Sequence, residues 1–248
     1  MLKKTLIVCI CCLGVSNPGG YVQADETVFT ISTSYKSLLS NPEQTGMLDR
    51  IVKEAFSRIG CTAEIVFSPT EQSLFNVNEG ILDGEINRIA GMEQKFPNLV
   101  RVPEANMTMH FVAFSKRPYD IDGWESIRDL QIGIVRGWKI LEENTADFLN
   151  VTLVPTETEL FTMLIKDRID VALYAILTGY EQIEQRGLEG ITHLMPPLAS
   201  RNMYLYMHKA HRDLVELLAD ALRRMKQDGT YDRIVTEATF HLAPDRKE

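Results

Sequence analysis

The sequence predicts an α/β protein of two facing lobes with a cleft between them, and two observations carry that expectation. Leu74-Phe75 followed by Leu82-Asp83-Gly84-Glu85-Ile86-Asn87-Arg88 reads as the end of an amphipathic helix, a tight turn, and a buried strand whose far end carries a charge. The same order returns further on, where Glu159-Leu160-Phe161 leads through Asp167-Arg168-Ile169-Asp170 into Val171-Ala172-Leu173-Tyr174. Two similar units in one chain of 248 residues imply two lobes, and facing lobes imply a cleft. A chain of this length has enough material for one large core or two small ones.

The first 24 residues stand apart from that globule. Lys3 and Lys4 precede an apolar run over residues 5–15, Pro18-Gly19-Gly20 breaks it, and Val22-Gln23-Ala24 places small residues for cleavage before Asp25. The run is too short to span a bilayer, so it is read as a cleavable secretory signal rather than a retained anchor. Cys9, Cys11 and Cys12 lack the preceding small residue of a lipid attachment site. Without residues 1–24 the formal charge of -8 becomes about -10, because Lys3 and Lys4 leave and no acid does. An acidic chain with no basic run is poorly suited to nucleic acid. Cys61 alone then remains, which rules out an internal disulfide, and its setting between Gly60 and Thr62 reads as a small residue entering a strand.

In chain order, residues 28–32 alternate as a first strand and lead to Tyr35, which is either a ligand platform past a strand end or a surface tyrosine. Leu48, Ile51, Val52, Ala55 and Ile59 recur at helical spacing from Met47, and Gly60 closes that helix. Residues 62–67 form a strand. Ser68-Pro69-Thr70-Glu71 is a capping box, with proline at the first helical position, for a helix running to about Gly80. Strands follow at 85–89, 100–103 and 107–114. The chain restarts after Pro118 with a short helix at 124–130, a strand at 131–135, and a helix from Gly137 through Ile140, Leu141 and Phe148. A strand at 151–154 precedes a second capping box, Thr156-Glu157-Thr158-Glu159, whose helix turns Leu160, Met163 and Leu164 inward. Pro196-Pro197 ends the second lobe, residues 203–207 return as a strand, and Leu214, Leu217, Leu218, Ala221, Leu222 and Met225 stripe a long helix. A last short helix starts at Gly229-Thr230-Tyr231. Crossings at 107–114 and 200–207 would make a two-stranded hinge.

This order of elements resembles the small two-lobed periplasmic solute-binding proteins of bacterial ABC importers, the family that includes the polar amino-acid binders. The most specific piece is the stretch from Leu218 to Ile234, ending Asp-Gly-Thr-Tyr-Asp-Arg-Ile, which looks like that family's closing helix. Asp83, Asp170 and Gly137 also match, the two aspartates as turn and strand-start residues. The resemblance implies a type II periplasmic-binding-protein fold, with a mixed sheet flanked by helices in each lobe. It implies a signal peptide at 1–24, lobe one over 25–110, lobe two over 111–200, and a return to lobe one with the C-terminal helices over 201–248. It further implies a monomer that binds a small solute and serves an ABC permease or a sensor receptor in the inner membrane.

The departures from the family bear on the ligand. Where amino-acid binders carry an arginine for the α-carboxylate, twelve positions past the first aspartate, this chain has Lys95. Where they place an aspartate for the α-ammonium, five past the second, it has Ala175, which removes the partner a buried ammonium needs. The corresponding place in lobe one is Arg88, suited to a carboxylate or phosphate, or else to a structural ion pair with Glu85 or Glu104. Gly137 and Lys139 sit at a helix amino terminus, where an anion is favoured. Trp138 either stacks on a ligand ring or packs under the loop, and Tyr174 is either a cleft wall or core. The expected solute is therefore small, polar, and anionic or zwitterionic.

No catalytic residues, metal ligands or cofactor are expected. The mature part holds no G-x-S-x-G, H-E-x-x-H or phosphate loop, and His208 and His211 lack acidic or thiol partners at metal spacing. Dehydratase-like enzymes on the same fold need a placed acid or base, for which Glu85 and Glu104 are the available groups. A sensor passing its ligand state to a membrane receptor is the other alternative.

Overall fold

The computed structural model describes residues 27–242, so the expected signal segment, its cleavage point and Cys9, Cys11 and Cys12 lie outside the described residues. The first strand, β1 (Val28–Thr33), pairs in parallel with β2 (Thr62–Phe67) along its length, and at Ile31 and Ser32 with β3 (Gly84–Arg88). Between β1 and β2 lies α1 (Met47–Ser57), which buries Leu48, Ile51, Val52 and Ala55 against the sheet as its 3.6-residue spacing requires. Its first turn is organised by Asp49, a fully buried carboxylate that accepts from Ser40 Oγ at 2.5 Å and from the Gly46 N–H at 3.0 Å. Helix α2 (Thr70–Asn78) connects β2 to β3. Pro69 stands at its cap rather than in its first turn, one position later than the capping box places it. The short β4 (Leu99–Arg101) follows.

The next strand, β5 (Met107–Ser115), leads into the second unit. That unit holds β6 (Ile132–Val135), α3 (Lys139–Asn144), β7 (Val151–Val154), α4 (Glu157–Ile165), β8 (Val171–Ala175), α5 (Ile176–Gln185) and β9 (Thr192–His193). The chain returns through β10 (Ala199–His208) and ends in α6 (Arg212–Gln227) and α7 (Thr230–Thr239). The strand order is β2-β1-β3-β10-β5-β8-β6-β7, with β4 on β10 and β9 on β5. Within each half the neighbours of the central strand are parallel, while β10 runs antiparallel to both β3 and β5, so the sheet is mixed.

Both crossings are made by one pair of strands. The first half of β10, from Ala199 to Met203, pairs with β5 from Phe111 back to Met107, and its second half pairs with β3 and β4. Beyond Phe111, β5 leaves β10 for β8. The two-stranded hinge is thus an antiparallel ladder at the seam of the two sheets.

The two aspartates do the same work in each lobe. Asp83 Oδ2 accepts from the Thr30 N–H and Asp170 Oδ2 from the Gln131 N–H, each at 2.8 Å, so each carboxylate ties the start of its own strand to the strand alongside. Asp83 Oδ1 also meets His211 Nε2 at 2.6 Å.

Four local expectations differ from the structure. The helix expected at 124–130 is a single 3-10 turn, Glu125–Ile127, which seats Ile127 in the core. Helix α3 stops at Asn144, and Thr145 Oγ1 hydrogen-bonds back to the Leu141 carbonyl, so Phe148 enters the core from a turn. On α4, Phe161 rather than Met163 is fully buried beside Leu160 and Leu164, and on α6 Leu217 is half exposed while Val215, Leu218 and Leu222 face inward. Helix α5 has no counterpart in the sequence reading. Its Thr178-Gly179 pair has weak helix propensity, but tertiary packing overrides that preference. A Cβ on Gly179 would lie 2.4 Å from two ring carbons of Phe114, which is itself fully buried.

That close approach makes Gly179 a packing requirement. Gly179→Ala is expected to cost about 1–3 kcal/mol from overpacking, offset in part by alanine's better helix propensity. Thermal unfolding followed by circular dichroism should show a midpoint lowered by several degrees. An unchanged midpoint would mean that the Phe114 ring yields without cost.

Candidate functional site

Strand β3 ends in a departure from regular strand geometry. In an alternating strand, residues 85 and 88 would face opposite sides. Asn87, however, has φ 66°, a left-handed conformation that asparagine tolerates better than most residues. The alternation breaks there, and the Arg88 guanidinium folds onto the Glu85 carboxylate.

Glu85 is fully buried and doubly held. One oxygen accepts from Arg88 Nη2, the other from the Ser73 hydroxyl of α2, and Ser73 Oγ shares a hydrogen bond with Ser32 Oγ of β1 at 2.6 Å. Arg88 Nη2 also donates to Ser34 Oγ at 3.1 Å. Arg88 Nε is buried and, among the described residues, has no hydrogen-bond partner. A second chain of bonds runs alongside. Asn106 Nδ2 donates to Asn87 Oδ1 at 3.2 Å, and Asn87 Nδ2 donates to the Tyr35 hydroxyl at 2.9 Å. Burial raises the Tyr35 pKa. Burial also pushes the Glu85 carboxyl up to about 7, against the opposing pull of Arg88.

Above this buried layer opens a cavity of about 760 Å³ between the lobes. Lobe one supplies Tyr35, Phe75, Asn87, Arg88, Lys95 and Phe96, and across from them stands Lys139. The hinge strand β10 contributes Met203. A smaller cavity, about 340 Å³, lies along β5 and the start of α5, lined largely by apolar groups such as Leu39, Met47, Met109 and Ala175. The larger cavity is the better candidate because three cationic side chains, Arg88, Lys95 and Lys139, line it, whereas no charged side chain other than His110 lines the smaller one.

Of the residues singled out in the sequence, the cavity brings together Arg88, Tyr35 and Lys139. Gly137, Trp138 and Tyr174 lie beside it in lobe two, outside its lining. The Gly137 N–H donates to Glu142 Oε1 and the Lys139 ammonium to Glu142 Oε2, each at 2.7 Å. The anion at this short helix start is therefore the chain's own carboxylate, and Lys139 draws the Glu142 pKa below the usual carboxylate range. Trp138 packs edge-on against Phe111 and Tyr174, with centroids 5.5 and 5.1 Å apart. Tyr174 is buried, and burial lifts its pKa far above the ordinary phenol value. Glu104, the other acid weighed as a partner for Arg88, instead pairs with Lys226 of α6.

Sequence reasoning did not assign site roles to Asn87, Phe75, Phe96 or Met203. A left-handed asparagine before an arginine leaves no sequence pattern, and apolar residues that line a cleft look like core residues. Among the described residues no cluster of three His, Cys, Asp or Glu side chains could hold a metal ion, and no helix is long and apolar enough to cross a membrane.

A seam of two antiparallel strands with a lobe on either side and a cavity between them is the two-lobed fold of periplasmic binding proteins, and solved structures agree in fold. An ancestral cationic amino acid solute-binding protein superposes with a TM-score of 0.69 at 16% identity, covering 85% of this chain and 94% of that one. Substrate-binding domain 2 of Lactococcus lactis GlnP, in an open conformation, gives 0.68 at 15% identity over 88% of this chain and 98% of the other. A histidine kinase sensor domain with similarity to periplasmic binding proteins gives 0.65 at 14%, covering 86% and 96%. In sequence, the chain is 28% identical over 207 residues to an uncharacterised protein of Shewanella oneidensis, covering 76% of this chain and 74% of that protein. No protein-family model matches it.

The elevated Glu85 pKa has a consequence for stability. A carboxyl raised from its ordinary 4.5 to about 7 in the folded state holds a proton that the unfolded chain releases. Its contribution is complete below about pH 4.5 and is lost as pH rises through about 7, on the order of 3 kcal/mol. Unfolding midpoints measured between pH 5 and 8 should fall more steeply for the parent than for Glu85→Gln. Parallel profiles would show that Glu85 is ionised throughout that range.

Proposed function

We propose that this chain is a periplasmic solute-binding protein of the polar amino-acid-binder type, which closes its interlobe cleft on a small anionic or zwitterionic solute and delivers it to an ABC importer. The observation that carries the reading is the convergence of Tyr35, Asn87 and Arg88 from one lobe and Lys139 from the other on one cavity beside the hinge. Lobe one then takes residues 25–110 and lobe two 111–200, with 201–248 returning to lobe one after a signal peptide at 1–24. The protein works as a monomer. Arg88 and Tyr35 contact the solute, with Lys139 and the Gly137 amide meeting it on closure as Glu142 gives way, and Trp138 and Tyr174 back that wall. The reading is of a binder rather than an enzyme, because no aspartate or glutamate among the described residues lines the cavity, and Glu85, paired with the lining Arg88, is fully buried and so is poorly placed to exchange protons with a solute.

A second reading has one specific observation behind it. The similarity to a histidine kinase sensor domain is of the same order as that to the transporter domains, so the same closure could report the solute to a membrane receptor.

Thermal unfolding against amino acids, dicarboxylates, aromatic acids and phosphorylated solutes tests the binding reading. A true ligand at a thousandfold excess over its Kd should add about 4 kcal/mol, a shift on the order of 10 °C. In a Glu85→Gln background, which avoids leaving a buried carboxylate unpaired, Arg88→Ala should weaken that ligand by about a hundredfold, the scale of one charge-assisted hydrogen bond. Undiminished affinity would remove Arg88 from the site. Loss of solute uptake on gene deletion would favour the importer, and intact uptake with a lost transcriptional response would favour the sensor.

A further inference from the structure

The lining of the larger cavity has one sign of charge. Arg88, Lys95 and Lys139 line it, and no aspartate or glutamate does among the described residues. A buried ammonium needs a carboxylate or a set of acceptors to replace its hydration. Here the available acceptors are few, and β8 ends in Ala175, whose methyl group lines the smaller, apolar cavity instead.

The three cations differ in how far they are already used. Arg88 is paired with Glu85, yet its buried Nε–H lacks a partner among the described residues, a condition that costs about 1–3 kcal/mol unless something fills it. Lys139 is held by Glu142. Lys95 makes no ion pair among the described residues and lies 5.4 Å from the Phe96 ring centroid. The cavity thus offers the Lys95 ammonium and, from the same lobe, the 13% of the Arg88 side chain that stays exposed beside its ion pair.

Its remaining lining is apolar in an unusual way. Phe75 is 53% exposed and Ile89 49% exposed, both facing the cavity, with Phe96 and Met92 beside them. Large apolar side chains left open in a concave site gain most from a ligand that covers them. A volume of about 760 Å³ leaves room for more than a small carboxylate alone.

We infer that the cleft takes an organic acid with an apolar body, an aryl or 2-oxo carboxylate, and discriminates against the α-amino acid of the same skeleton. The carboxylate sits between Lys95 and the Arg88 guanidinium, and the ring or chain covers Phe75 and Phe96. This rests on the solute-binding reading above and narrows it to one chemical class.

Matched pairs separate the two claims. Calorimetric titration of the purified protein with phenylpyruvate against phenylalanine, 4-methyl-2-oxopentanoate against leucine, and benzoate against benzamide should show an acid of the series binding at least tenfold tighter than its amino or amide counterpart. Lys95→Gln, a change at an exposed residue that leaves the fold intact, should weaken that acid by about tenfold with no change in unfolding midpoint. An amino acid that binds as tightly as its oxo acid overturns the ligand class while leaving a solute-binding protein in place. Unchanged acid affinity in Lys95→Gln overturns the carboxylate position. No heat with any of these compounds, nor any thermal shift across the wider panel, overturns both claims.

Discussion

The relation between the two lobes depends on one strand belonging to two sheets. β10 pairs with β5 through its first half and with β3 and β4 through its second, with a register shift between Tyr204 and Tyr206 where it faces the end of β3. Backbone hydrogen bonds make that seam hard to break but leave it free to twist. The cavity lies beside it, so a small change of angle at the seam alters the separation of Arg88 from Lys139 far more than it alters either lobe. The irregularity at Asn87 lies directly against the register shift, since Arg88 is the partner of Tyr204.

The energetics of the site are set by burial more than by charge. Glu85 and Arg88 are removed from water together, and the cost of doing so is met by Ser73 and Ser34. Such an arrangement is poorly suited to stabilising a fold and well suited to holding a guanidinium in one orientation. The Asn106–Asn87–Tyr35 chain does the same for the phenol hydroxyl. The lobe-one wall is therefore fixed by its own hydrogen bonds, whereas on the lobe-two side the amide of Gly137 and the ammonium of Lys139 are occupied by Glu142.

The strands and the two repeated units were legible because alternation and helical spacing leave a strong imprint when one face is buried, as on α1 and β2. Asp83 and Asp170 were legible because they recur at the turn before a strand in both units, and each is tied there to a neighbouring strand. Helix α5 was not, because Gly179 speaks against a helix until the Phe114 ring it accommodates is known. Leu217 and Met163 sat near the edge of an apolar stripe, where spacing alone does not decide which side chain turns inward. At the site, residue types pointed to Arg88, Tyr35 and Lys139, but no pattern distinguishes a glycine amide that awaits a ligand from one satisfied by a glutamate five residues on. The full lining of the cavity was beyond reach, because it joins residues more than a hundred positions apart.

The strand order has two ends, and they are not equally protected. At one end β2 carries Glu64, which is exposed, and Phe67, whose ring lies under the Lys36 ammonium at 4.0 Å. Charge there discourages another chain from extending the ladder. At the other end β7 reads Val-Thr-Leu-Val, with Leu153 41% exposed and Leu149 just before it almost wholly so. An uncharged, β-branched outer strand of this kind is where self-association at high protein concentration would begin, and a lysine placed in β7 is the change that would make the protein easier to keep in solution.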